Sequence, residues 1–455
     1  MNTPALLNPC RAVLAVLFAI ALLIAATSHT GAATFHVSAA GDDSNPGTDA
    51  KPFLTLERAR DEIRSLTRDR PLREAIKVVL QGGNHVRRDT FELSAQDSGT
   101  SEFRVTWEAA ANKQARLTGA TMLPVTAFGP LTNQAARAQL RESARQRVLQ
   151  VDLRPFADLQ LGEYPQTFRG APAAPELFFN DQRMTVARWP NKGWATVSKI
   201  IDAGSVPREG DQSNRPGIFA FAGDEPARWN VDAGVWLQGY WCYDWYDEAI
   251  RIRSIDRDQR QITLAAAALY GVKQGNPSPR RFRALNVFEE LDEAGEFYID
   301  RAARVLYFWP PSSIEGARIT LSTLKGPLLR VKDAQHVTVR GIIIEASLGA
   351  AIEVSGGQAN RIESCTVRNV RELGIRITGG SEHRVENCDI TDTGTGGLVL
   401  EGGDRKALTP GNHQAINNHI WNFSRHQLTG AYGITLGGVG NRAAHNLIHD
   451  APHQA

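Results

Sequence analysis

Asp392, Asn422 and Asp450 occupy one column of a repeating pattern in the last third of the chain, each at the end of a short apolar run. Carboxyl groups projected from successive turns of one scaffold can share a groove, one protonating a departing oxygen and the other, ionised, serving as nucleophile or base. Asn422, between them, would orient a hydroxyl group. The same positions also suit turn residues whose side chains bond nearby backbone amides, and residue type alone leaves both readings open.

Other groups surround this column. Asp404 and Arg405 follow Gly402-Gly403 in the longest interruption of the repeat, where loops on a regular scaffold commonly carry ligand contacts; an Asp–Arg pair bracing the loop is the alternative. His445, His449 and His453 are spaced four apart, which on a helix would face one metal. Pro452 interrupts any helix there, and the segment aligns with strand and turn positions of earlier repeats. No metal or cofactor is therefore expected, and His449 and His453 read as substrate contacts on a polar groove floor or as surface turn residues. Trp241 and Trp245 lie in the aromatic segment Trp236–Asp247, where flat rings would stack on a ligand or fill a core.

The elements that must position these side chains follow from periodicity. Ile362-Glu-Ser-Cys-Thr-Val-Arg-Asn369 aligns with Val385-Glu-Asn-Cys-Asp-Ile-Thr-Asp392 at a step of 23 residues, and Ile342, Asn418 and Asn446 share the cysteine column. A second column runs through Ile352-Glu-Val354, Ile375-Arg-Ile377, Leu398-Val-Leu400 and Ile434-Thr-Leu436. Strand-sized alternation at this period predicts a solenoid of stacked parallel strands, a right-handed parallel β-helix, because crossovers between parallel strands are overwhelmingly of that hand. Strands containing Val367, Ile390, Ile420 and Ile448 are expected to form one of its sheets.

Four blocks result. Residues 1–33 read as a secretory signal peptide: Arg11 precedes an apolar run, Ala12 to Ala26, and Gly31-Ala-Ala33 offers small residues for cleavage. Residues 34–119 hold the first coils, among them Lys77–Leu80, Thr90–Leu93 and Phe103–Trp107. A helix capped by Thr55, with Leu56, Ala59, Ile63 and Leu66 on one face, is expected to plug the open solenoid end. Residues 120–324 break the period with short, hairpin-spaced strands and most of the tryptophans, which suits an inserted antiparallel β-barrel or sandwich. The solenoid resumes over 325–455.

Composition excludes little but is consistent with export. The chain has 51 basic and 49 acidic side chains and no concentrated basic stripe of the kind nucleic-acid binding requires. No apolar run outside the N-terminal segment approaches a membrane span. Cys365 and Cys388 are close enough in adjacent coils for a disulfide, but the column continues into asparagines, so stacked free thiols are favoured; Cys242 reads as buried.

Several motifs resemble a known family. The opening Phe35-His-Val-Ser-Ala-Ala-Gly-Asp-Asp-Ser-Asn-Pro-Gly-Thr48 with Lys51-Pro-Phe-Leu-Thr-Leu56 is similar to that of many exported bacterial β-helix carbohydrate enzymes. Glu176-Leu-Phe-Phe-Asn-Asp-Gln-Arg-Met-Thr-Val-Ala-Arg-Trp-Pro190, Gly295-Glu-Phe-Tyr-Ile-Asp-Arg301, Gly402–Gly411 and His449-Asp-Ala-Pro-His453 resemble glycoside hydrolase family 141. The resemblance implies a β-barrel inserted in a β-helix and α-L-fucosidase or xylanase activity. It also implies further coils beyond Ala455 that carry part of the catalytic acid set. The expected function is thus a secreted or periplasmic glycoside hydrolase acting on a polysaccharide or oligosaccharide, with Asp392 and Asp450 as its carboxyl pair. A polysaccharide lyase on the same scaffold, which would want a Ca²⁺ or a basic group to neutralise a uronate, and a non-catalytic glycan-binding protein are the alternatives.

Overall fold

A computed structural model describes residues 32–68, 72–157, 159, 161–273 and 279–453. The expected signal segment, apart from its last two residues, lies outside these residues. The described chain is a right-handed parallel β-helix of three sheets with antiparallel β structure inserted between two of its coils.

One coil shows how the sequence builds the solenoid. Arg361–Glu363 contributes a strand to the first sheet, Thr366–Val370 to the second and Ile352–Ser355 to the third. Stacking is in register from coil to coil: Ile352↔Ile375, Ile375↔Leu398 and Leu398↔Ile434 in one sheet, and Val367↔Ile390, Ile390↔Ile420 and Ile420↔Ile448 in another. Because side chains alternate, each column turns its apolar members inward. Val367, Ile390 and Ile420 are fully buried, each burial contributing about 1.5–3 kcal/mol.

Two turn positions recur with a left-handed backbone. Between the first and second sheets stand Ser364, Asn387, Asn417 and His445, with φ of 52°, 56°, 53° and 58°. At the far end of the second sheet stand Asn369, Asp392, Asn422 and Asp450, with φ of 55°, 51°, 51° and 55°. Asn and Asp tolerate this conformation best among residues with a side chain, so the column that suggested chemistry also has a backbone reason for its residue types.

Buried polar columns satisfy backbone groups between coils. The amide of Val337 donates to Asn360 Oδ1 (3.0 Å), that of Asn360 to His383 Nδ1 (3.2 Å), that of His383 to His413 Nδ1 (3.3 Å) and that of His413 to Asn441 Oδ1 (3.0 Å). Likewise Cys388 N donates to Asn418 Oδ1 (3.0 Å) and Asn418 N to Asn446 Oδ1 (2.9 Å). Cys365, Cys388 and Cys242 are buried free thiols.

Burial, with His413 stacked beside it, pushes His383 down to about 4. An unfolded histidine titrates near 6.5, so between these values the unfolded chain binds a proton that the folded one refuses, and stability falls as pH drops through that window. Asn performs the same acceptor role at positions 360 and 441. His383→Asn is expected to flatten the loss of stability between about pH 6.5 and pH 4, read from denaturation midpoints across that range. An unchanged slope would exclude His383 as its source.

The insertion leaves after Ala115–Thr118 and returns at Leu329–Lys332. Solenoid pairing spans the gap directly through Val105↔Val337, Leu117↔Ile344 and Phe91↔Leu329. Within the insertion, antiparallel strands pack around Phe219, Trp229, Trp241, Ile250 and Phe282 in one core, and around Leu177, Phe297, Leu306 and Phe308 in another.

Helix Leu56–Thr67 starts at Thr55, whose hydroxyl accepts from Arg58 N (3.1 Å). Leu56, Ala59 and Ile63 join the solenoid core, whereas Leu66, expected on the same face, is exposed. Two early strands escaped the sequence reading, Gly83–Val86 and Ala115–Thr118, the first because Gly-Asn-His-Val carries too little apolar alternation.

Candidate functional site

The strand Glu176–Phe179 and its hairpin partner Gln182–Arg183 lie against the second solenoid sheet. Their turn, Asn180-Asp181, has φ of 48° and 65°, the left-handed pair that matches strand twist in a tight hairpin. Asp181 then docks the insertion: its carboxylate accepts from Arg116 (2.9 Å) and Arg368 (2.7 Å), pairs with Arg318, and its carbonyl accepts from Asn369 Nδ2 (2.8 Å). Buried Glu345 completes the cluster with Arg318 (3.0 Å) and Arg368 (2.8 Å).

Beside this clamp the insertion and the solenoid enclose a cavity of about 480 Å³, within the usual range for small-molecule sites. Glu176 reaches it from the insertion, and Asp392 and Asn422 from the left-handed column of the solenoid. Arg183 joins the two walls: Nη2 donates to the Asp392 carbonyl (2.7 Å) while Nε stands 3.3 Å from Glu176 Oε1. The Asp392 carboxylate accepts from Asn422 Nδ2 on one oxygen and from Thr391 Oγ1 (3.0 Å) on the other.

His426 closes the cavity, its Nε2 bonded to Glu176 Oε1. Burial raises the Glu176 carboxyl, but Arg183, His426 and Arg371 outweigh it and hold the group at about 2. Burial, reinforced by Arg371, pushes His426 down to about 3. At neutral pH the pair is therefore an ionised carboxylate accepting from a neutral imidazole. Glu176 Oε2 and Arg183 Nη1 are buried without a hydrogen-bond partner among the described residues.

The loop bearing His426 is anchored from the insertion. Fully buried Asp247 accepts from Thr429 Oγ1 (2.7 Å), Thr429 N (3.0 Å), Leu428 N (3.2 Å) and Gln238 Nε2 (2.7 Å). Gln238 in turn accepts from Arg283 Nη2 (2.6 Å), which aims that guanidinium at the cavity. Close backbone approach requires glycine at two positions: a Cβ on Gly394 would lie 1.7 Å from the Arg371 carbonyl, and one on Gly170, at φ +71°, would lie 2.3 Å from that of His426.

Of the residues singled out from sequence, the structure brings Asp392 and Asn422 together in the cavity. Asp450 stands further along their column, exposed and bonded to His449 Nδ1 (2.9 Å), outside the lining; Pro452 contributes to the wall and His453 is exposed. His449 also contacts His419 Nε2 (2.7 Å) and stacks with Trp421. Asp404 caps its own loop, accepting from Lys406 N (2.7 Å) and Ala407 N (3.1 Å), rather than pairing with exposed Arg405.

Trp241 requires correction as a substrate contact. It is 1% exposed in the insertion core, and its indole N–H donates to the Glu248 carbonyl (3.0 Å), so no face is open to a sugar. Trp245 is exposed, stacked on Tyr243 outside the cavity. Sequence reasoning missed Glu176, Arg183, Arg371, Arg425 and His426. The motif Glu176–Pro190 contained the first two, and the insertion's placement supplies what their spacing could not.

A family model described as "Right handed beta helix region" matches residues 327–454. A solved structure described as a glycoside hydrolase superposes with a TM-score of 0.69 at 17% identity, covering 92% of this chain and 78% of that one. A second, a complex of XylC with xylose, gives a TM-score of 0.49 at 13% identity and covers 92% of this chain and 63% of that one. At these identities the likeness concerns the fold. No curated protein matches the chain.

Proposed function

We propose that this chain is an exported carbohydrate-active protein of the glycoside hydrolase family 141 type, cleaving a glycan by paired-carboxyl chemistry with Glu176 and Asp392. The observation that carries this reading is the convergence of these two acids, one from each structural unit, on a single cavity bridged by Arg183. Hydrolysis of a glycosidic bond needs one ionised carboxylate and one proton donor. Glu176, held ionised by its arginines, takes the first role. Asp392, oriented by Asn422 and Thr391, is the second carboxyl of the pair. A second depression of about 470 Å³ shares Ala171, Arg371 and His426 with the first and is flanked by exposed Phe168 and Tyr432, which suits a ligand of several sugar units.

One observation favours a lyase instead: basic groups outnumber acids around the cavity, and elimination needs a uronate neutralised before its α-proton is removed. The two are separated by following products from aryl fucosides, xylan and a uronate polymer. Hydrolysis releases reducing ends without ultraviolet absorbance, and that is the expected result. An unsaturated, absorbing product would replace hydrolase with lyase, and absence of any cleavage would leave a binding protein.

A further inference from the structure

We propose that the cavity recognises an anionic sugar unit, bearing a carboxylate or a sulfate ester, through Arg425 together with Arg183, Arg188 and Arg283. This deepens the proposed function and rests on the same site. Five guanidinium groups line the cavity, Arg371 being the fifth, against the carboxylates of Glu176 and Asp392. Both acids are already engaged, Glu176 by Arg183 and His426, and Asp392 by Asn422 and Thr391.

The arginines are not balanced inside the protein. Arg188 donates to the Asn191 carbonyl and Arg283 to the Gln238 amide oxygen, both neutral acceptors. The Arg425 guanidinium makes no side-chain hydrogen bond or close ion pair among the described residues; Asp392 attracts it while Arg183 and Arg188 repel it, and Arg183 keeps a buried Nη1 unpartnered. Elsewhere this fold matches clustered arginines with acids, as Arg116, Arg318 and Arg368 are matched by Asp181 and Glu345. Like charges left together in a concave, partly desolvated site repel one another and focus a positive potential there. A neutral sugar leaves that repulsion in place. A planar carboxylate or a sulfate relieves it through paired N–H donors, the geometry guanidinium suits best.

The test is binding by the whole protein, measured by titration calorimetry against polygalacturonate, a sulfated galactan and carboxyl-reduced polygalacturonate. One anionic probe is expected to bind at least about tenfold more tightly than the neutral polymer, with affinity falling as salt rises. Which one binds distinguishes carboxylate from sulfate recognition. Arg425→Gln is expected to remove most of that preference while leaving the melting temperature unchanged, since no side-chain hydrogen bond is lost and repulsion by Arg183 and Arg188 offsets attraction by Asp392. Equal affinity for charged and neutral polymers, no binding of either anion, or an unaltered preference in R425Q would each overturn the proposal. Binding without cleavage would sink the hydrolase reading and leave this one, whereas cleavage indifferent to charge would do the reverse.

Discussion

Asp392→Asn is expected to lower the turnover of a cleavable glycan about 10²–10⁴-fold while leaving the folded chain as stable as before. The activity loss follows from removing the only ionisable group that the solenoid column presents to the cavity. Stability should survive because asparagine already occupies the same left-handed position at Asn369 and Asn422, with φ of 55° and 51°. The amide can still accept from Asn422 or Thr391. Steady-state rates beside a thermal melt separate the two effects, and a variant that keeps its activity would remove Asp392 from the chemistry.

Glu176→Gln is expected to destabilise the fold by about 3–5 kcal/mol, the usual cost of leaving buried charge without its partner. Arg183 at 3.3 Å and Arg371 at 4.0 Å would lose the carboxylate between them, and His426 would lose its acceptor charge. The contribution has a defined pH signature. A free glutamate titrates near 4.3 and Glu176 near 2, so its stabilisation is present above the first value and is lost as pH falls toward the second. Denaturant midpoints should therefore differ most between wild type and E176Q near neutrality and converge in acid. A constant gap would show that packing, not charge, is what the glutamine disturbs.

The solenoid was legible because its columns are one-dimensional. Val367, Ile390, Ile420 and Ile448 repeat at a spacing that only stacked coils explain, and their pairing is in register. Half of the candidate cavity was legible for the same reason, since Asp392 and Asn422 belong to that repeat. The other half was not. Glu176 and His426 are 250 residues apart and meet only because the insertion folds back on the second sheet, a placement governed by Asp181 and its three arginines rather than by any local pattern. For Trp241 the core reading of its aromatic segment is the one the structure adopts, since the residue follows strand Trp236–Tyr240 and packs into the insertion core with Leu237. Asp450 shares the backbone demand of Asp392 but not its surroundings, which shows how a left-handed turn position can imitate a chemical motif.

The most direct measurement is a crystal structure of the Asp392→Asn protein with a bound oligosaccharide. A sugar ring is expected in the cavity between Glu176 and position 392, with a charged substituent against Arg425 and Arg183. A glycan lying instead along Trp245 or the Asp404–Thr409 loop, with this cavity unoccupied, would contradict it.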